Sequence, residues 1–364
     1  MILEHITETT IKDFEFTAIE RTLDIQNSHP FLKTEDKTQI VRPKKIENDI
    51  YKTRQTHSLE TATIGELICN KIGFKYVNQI KNVCLLHDIG HSPFGHDGQK
   101  LLNATLKSKG LEEGFNDNNA NFDIIFNNNI EVSSYELVSI IKRKDELYDY
   151  QKKIFLPFLE EAIELETEQW GYKEKTMGSI IMDMSDEISY GMSDFVDGYT
   201  LDYNKYYIDQ FVSEMIEFST SKEIVDTLLE IQESLLFKQS KKELRKLVSK
   251  LKIQLVRSVS YNKEQTKLVM DFNNYDLLNK FISFNYKNFI KSKKLVEDRQ
   301  IDLDKFQIYI DFIIDNKYFP SNMYREQYLE VKKTNDIKNI LRTLRNMIGD
   351  TTDNFVLDFV ENKI

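Results

Sequence analysis

The chain has 364 residues, 40% of them hydrophobic, enough to bury one large core or two smaller ones. A formal net charge of −10 argues against a protein whose whole surface coats nucleic acid, although it is compatible with a local basic pocket. No apolar run reaches membrane-spanning length, and the start, MILEHITETTIKDFEF, lacks the basic and apolar segments of a secretion signal, so a soluble cytoplasmic protein is expected.

In chain order, residues 11–26 read as an amphipathic helix stopped by Asn27-Ser28-His29-Pro30. His5 and His29 are expected to be incidental. The polar stretch from Lys33 to Gln39 is too irregular for a helix core and reads as a solvated loop. An apolar helical run follows around Leu59, Ala62, Ile64, Leu67 and Ile68, opened by Arg54 and His57. Three residues apart, these two share a helix face, where a guanidinium can either grip a phosphate or pair with Glu60 or Asp49. Cys69 and Cys84 sit in apolar helical contexts and read as buried thiols.

The richest stretch runs from Leu85 to Gln99. Four of the six histidines, His57, His87, His91 and His96, fall in or near it. Imidazole and carboxylate are donors that manganese, iron or zinc accept, and the adjacent His87-Asp88 pair can bring both to one ion. His57 is the natural third donor and Asp186 the fourth; Asp186, Tyr190 and Asp194 recur at helical spacing on one stripe. His91 and His96 lie in a Gly-Pro-Gly turn and are suited to proton transfer.

Farther on, Gly114 to Asn121 is Asn-rich and reads as a loop without a catalytic residue. Residues 131–165, 203–256 and 266–315 carry apolar residues at three- and four-residue spacings, and alternating β-type runs are scarce, so the fold class is all-α. Trp170 and Tyr172, beside Lys173 and Lys175, read as an aromatic hinge packed on the core rather than a base-stacking surface. The basic runs Lys238–Lys246 and Lys287–Lys294 read as solvated helix faces.

His57, His87-Asp88 and Asp186 resemble the H…HD…D signature of the HD phosphohydrolase superfamily. The words Lys37-Thr38-Gln39-Ile40-Val41, Arg54 to Glu60, His87 to His96 and Asp186 to Tyr190 are similar to those of the deoxyguanosinetriphosphate triphosphohydrolase family, and Ile348 to Phe355 resembles its closing IAGMTDRY stretch. The resemblance implies an HD-domain helical bundle with additional C-terminal helices. It would form one unit over residues 1–364: N-terminal helix and substrate loop (1–50), metal-binding core (51–200) and helical C-terminal region (201–364). The implied reaction is hydrolysis of a deoxynucleoside triphosphate, dGTP first among them, to deoxynucleoside and tripolyphosphate.

The resemblance implies one divalent ion per subunit, manganese, magnesium or iron with zinc as a further candidate, on His57, His87, Asp88 and Asp186; Asp183 is the rival to Asp186. It makes His96 the proton-transfer group, gives His91 the phosphates to position, and puts Gln39, Tyr190 and Asp194 on the deoxyribose with Arg54 and Arg257 on phosphate. Implied partners are the triphosphate, further copies of the chain, and a nucleotide effector or single-stranded nucleic acid. Two departures stand out. Gln99 replaces the acidic residue that orients the histidine matching His96, with Asp97 as a stand-in, and the family's GFEHNAQ word has lost its Glu and His in Gly114 to Asn121. Other readings are an HD hydrolase of a monophosphate or signalling nucleotide, and a nucleotide-binding regulatory protein with weakened chemistry.

Overall fold

A computed structural model describes residues 6–7, 15–41, 52–170, 174–202, 206–237, 240–264 and 267–363. The expectations at His5, residues 11–14, Asp49, Tyr172, Lys173 and Lys238, and the substrate loop between residues 42 and 50, lie outside the described residues.

Among the described residues the chain forms seventeen α-helices and two small two-stranded sheets, as the helical periodicity predicts. Three helices build the centre. Arg54–Ile72 starts at a capping box between Thr53 and Thr56 and stops where Gly73 turns left-handed at φ 72°. Val77–Leu86 lies inside the fold, burying Ile80, Val83, Cys84, Leu85 and Leu86 together with the polar Gln79 and Asn82. Met177–Thr200 starts where the Thr176 side chain accepts from Ser179 N. The three meet at Gly65, where an added Cβ would lie 3.1 Å from Cys84 Sγ and 3.4 Å from Ser185 Oγ. Both cysteines are free and buried.

Two apolar clusters result. The larger joins these helices to Ser134–Ser139, Ile208–Phe218, Lys222–Leu236, Lys241–Arg257 and Phe272–Asn285. The smaller packs Phe94, Leu102 and Leu106 of the Gly95–Ser108 helix region against Phe306, Ile310, Leu344 and Val356 near the C-terminus. Residues 87–94 cross between them.

Three sequence readings need correction. Lys33 to Gln39 is not simply irregular: Ser28 caps a short helix, His29–Lys33, with Pro30 in its first turn, and Thr34–Asp36 continues as a 3-10 turn. The run 266–315 is not all helix, because Val259–Asn262 and Lys267–Met270 pair antiparallel; burial of Val259, Leu268 and Met270 on alternate positions selects strands there. The Asn-rich stretch is not a loop: Asn116 caps the helix Asp117–Asn127, whose start packs under Gly90. A Cβ at Gly90 would lie 2.3 Å from Asn121 N.

Candidate metal centre and histidine cluster

The first turn of Arg54–Ile72, the end of Val77–Leu86 and the middle of Met177–Thr200 bring His57, His87, Asp88 and Asp186 together. His57 Nε2 is 2.9 Å from Asp186 Oδ1 and 3.9 Å from Asp88 Oδ2, while His87 Nε2 is 3.4 Å from Asp88 Oδ1 and 3.6 Å from Asp186 Oδ1. Asp183, the rival, turns to Lys175 at 2.7 Å. Each imidazole is oriented from behind. His87 Nδ1 donates to Cys84 O at 2.6 Å, so the Nε2 lone pair points inward, where it is buried without a hydrogen-bond partner. His57 Nδ1 lies 3.2 Å from Ser189 Oγ, which donates in turn to Glu60 Oε2 at 2.7 Å.

These donors fit a divalent cation. The two inward imidazole faces and two carboxylates form the N and O set that such ions accept, and the unpartnered His87 Nε2 has no protein hydrogen to receive. Burial alone would raise the Asp88 carboxyl, but the neighbouring His87 and His91 rings and the Arg54 guanidinium outweigh it and hold it well below the usual carboxylate range. Burial is likewise overcome at Asp186, chiefly by the Lys142 ammonium 3.1 Å away and then by His57 and His87. Both carboxylates are therefore ionised and ready to ligate.

Arg54 is almost fully buried, and its NH1 donates to Asp88 Oδ2 at 2.8 Å rather than to Glu60; its Nε has no partner among the described residues. Beside this centre His91 is wedged between two carboxylates, Nε2 3.2 Å from Asp88 Oδ1 and Nδ1 2.7 Å from Asp117 Oδ2. His96 stands over it with ring centroids 5.2 Å apart and its side chain 73% exposed. Gln99 is at the edge of contact, its Oε1 3.5 Å from His96 Nδ1. Asp97 does not substitute for the missing acid; it faces Arg299 at 3.2 Å and Lys100 at 3.1 Å. The carboxylate nearest the histidines is Asp117, 3.9 Å from His96 Nδ1, which corrects the reading of 114–121 as chemically empty.

Along the Asp186 helix, Tyr190 is half-buried and Asp194 is buried, its carboxyl pushed well above the usual range by burial and then by Asp197. Gln39 keeps a buried Oε1 without a partner among the described residues, and its backbone lies against Gly95. Arg257 is exposed at the end of its helix and enters none of these contacts. Trp170 is buried edge-on to Tyr261, centroids 4.8 Å apart, and packs on the core as expected.

Sequence reasoning missed Lys142, Ser189 and Asp117. It also missed the buried Lys252, which donates to Glu60 Oε1 at 2.7 Å behind His57. Lys52 joins the same Glu60 and donates to Ser193 Oγ at 2.6 Å. Only the i, i+3 spacing of His57 and Glu60 and the run of serines at 185, 189 and 193 hinted at this backing.

Residues 54–191 match the HD domain family. Curated relatives named deoxyguanosinetriphosphate triphosphohydrolase-like protein include one from Shewanella loihica, 40% identical over 28% of this chain and 24% of its own length, and one from Geobacter metallireducens, 33% identical over 50% and 45%. The chain thus spans less than half the length of these two. A third, from Rickettsia typhi, is 26% identical over 93% of this chain and 89% of its own. With the signature residues gathered as described, residues 54–191 resemble an HD domain, and the chain is similar to proteins named deoxyguanosinetriphosphate triphosphohydrolase-like.

Proposed function

We propose that this protein is a metal-dependent phosphohydrolase that cleaves deoxynucleoside triphosphates, dGTP among them, to deoxynucleoside and tripolyphosphate. The observation that carries the reading is the convergence of His57, His87, Asp88 and Asp186, with the buried His87 Nε2 left unpartnered. A divalent cation held there would polarise the α-phosphate and lower the pKa of a water beside it. The remaining steps belong to the chain's own side chains.

Arg54, anchored on Asp88 through NH1, offers its free Nε edge to phosphate, and Lys142 adds a second positive charge beside Asp186. His91 positions the phosphates. His96 donates a proton to the departing 5′-oxygen, with the Gln99 amide oxygen supporting its ring. Its pKa is pushed down to about 4 by surrounding protein and by the charges of His91 and Arg54, although much of the ring meets solvent. An anionic triphosphate alongside raises it again, so the proton arrives with the substrate. Gln39 and Asp194 supply hydrogen bonds for the sugar and Tyr190 a ring that disfavours a 2′-hydroxyl. The resemblance extends this reading to a cytoplasmic homo-oligomer.

The test is incubation of purified protein with each of the four dNTPs and Mn²⁺, with products separated by anion exchange. Tripolyphosphate and deoxynucleoside are expected. Release of a monophosphate, or nucleotide binding with no product, overturns the proposal.

A further inference from the structure

Leu295, Arg299 and Leu303 recur at four-residue spacing on the Lys293–Asn316 helix, so one face carries two apolar side chains with a guanidinium between them. That face covers the segment around Gln39 and the start of the Gly95–Ser108 helix. Arg299 NH2 donates to Ile40 O at 3.0 Å, and its NH1 donates to Asp97 Oδ2 at 3.2 Å. One planar fork therefore joins the residue after Gln39 to the residue after His96. On the other side of Gln39, Thr38 N donates to Asp353 Oδ2 at 3.0 Å. The Gln39 side chain lies between two pinned neighbours, its buried Oε1 without a partner among the described residues.

Packing alone does not set this spacing. Thr38, Ile40, Phe94, Leu295 and Leu303 leave a gap of about 40 Å³ beside the guanidinium, comparable to one water's share of liquid volume, so hydrogen bonds fix how far the two segments stand apart. The Arg299 and Asp97 side chains are 21% and 34% exposed, and an ion pair so placed adds little to stability. Its use is geometric.

We propose that Arg299 is a positioning residue that fixes the deoxyribose contact relative to the proton donor. The inference rests on the reaction proposed above, in which Gln39 meets the sugar and His96 protonates the 5′-oxygen. That oxygen is bonded to the same sugar, so proton and oxygen meet only when both side chains keep one spacing. A lysine does not take over this role, since an ammonium on a flexible stem cannot hold a carbonyl and a carboxylate in fixed relation as a rigid fork does.

Arg299→Met and Arg299→Lys test it, read first by hydrogen exchange, which needs no turnover. Exchange over residues 37–41 is expected to quicken in both variants, while the Met177–Thr200 helix and the affinity for Mn²⁺ stay as in the unmodified protein. In assays with Mn²⁺, kcat for dGTP falls. The kcat/KM ratio of dGTP over 2′,3′-dideoxy-GTP, which lacks the 3′-hydroxyl, falls roughly tenfold, the worth of a single hydrogen bond. In a Gln39→Ala background, replacing Arg299 is expected to move that ratio no further. A merely structural role would slow both substrates together and leave the ratio alone, and that result overturns the proposal. So do unchanged exchange at residues 37–41, full activity in Arg299→Lys, or an equal fall of the ratio in the Gln39→Ala background. Unmodified protein that releases no tripolyphosphate defeats the proposed function instead, and the exchange measurement then decides by itself whether Arg299 braces the segment.

Discussion

Lys142 stands where a bound cation would feel it most, 3.1 Å from Asp186 Oδ2. Two unit positive charges about 4 Å apart repel by ~4 kcal/mol at the effective dielectric of a protein edge. Lys142→Gln should therefore bind Mn²⁺ at least tenfold more tightly by calorimetry while its KM for dGTP rises; unchanged affinity would show that the ammonium moves clear when the ion enters. At Tyr190, shortening the ring to Ala opens space beside the sugar, and the kcat/KM ratio for GTP over dGTP is expected to rise by roughly 10- to 100-fold. A ratio that stays put removes Tyr190 from sugar selection. His57, His87, Asp88 and Asp186 were legible because each sits in a spaced word with few other uses. Lys142 and Asp117 were not, since a lysine in a mixed-charge run and an aspartate among asparagines look solvated until the fold brings them to a histidine or carboxylate.

Among the elements, the helix Asp353–Lys363 acts at a distance through its first residue. Asp353 Oδ1 accepts from Phe94 N at 2.9 Å, and Oδ2 accepts from Thr38 N at 3.0 Å and from the Thr38 hydroxyl. Phe94 adopts a left-handed φ of 61°, a strained choice for a bulky residue, and this carboxylate holds it there. Asp353→Ala leaves buried donors unsatisfied, which costs about 1–3 kcal/mol each. Urea unfolding should show a loss of roughly 2–4 kcal/mol, with kcat falling more than Mn²⁺ affinity, because the turn carrying His91 and His96 loosens while the central helices stay. Equal losses of both would mean that the turn and the metal centre melt together. Long helices were legible from apolar periodicity. The Val259–Met270 hairpin and the His29–Lys33 helix were not, because four- and five-residue elements are fixed by caps and by neighbours rather than by a period.

Over the whole molecule, buried carboxyls tie stability to pH. Glu166 joins three helices: it accepts from Met177 N at 2.6 Å and from the Tyr135 hydroxyl at 2.7 Å, and that hydroxyl accepts from Gly178 N. Burial pushes its pKa up from 4.5 to about 7 against those hydrogen bonds. Because the folded pKa lies above the unfolded one, its contribution is complete below about pH 4.5 and is lost as pH rises through about 7. At about 1.4 kcal/mol per unit, the fall amounts to ~3 kcal/mol. Asp197 and Asp353, both pushed up to about 6 by burial, act in the same direction. Melting curves from pH 4.5 to 8 should show a shallower decline for Glu166→Gln than for the unmodified chain; parallel curves would show that Glu166 is ionised throughout. The division into two apolar clusters was not legible, because nothing in Leu102 or Leu106 tells which distant helix will cover it.

The turn that carries the histidines is shaped largely from outside its own neighbourhood. Besides Asp353, the buried Lys37 ammonium donates to His91 O at 2.6 Å and to Gly349 O at 3.0 Å, stitching three remote stretches to one bend. Grafting the central helices alone onto another scaffold should then yield a competent ion trap that turns nothing over. In the proposed reaction, capture of the ion and consumption of the nucleotide are separable, and the second depends on the far end of the chain.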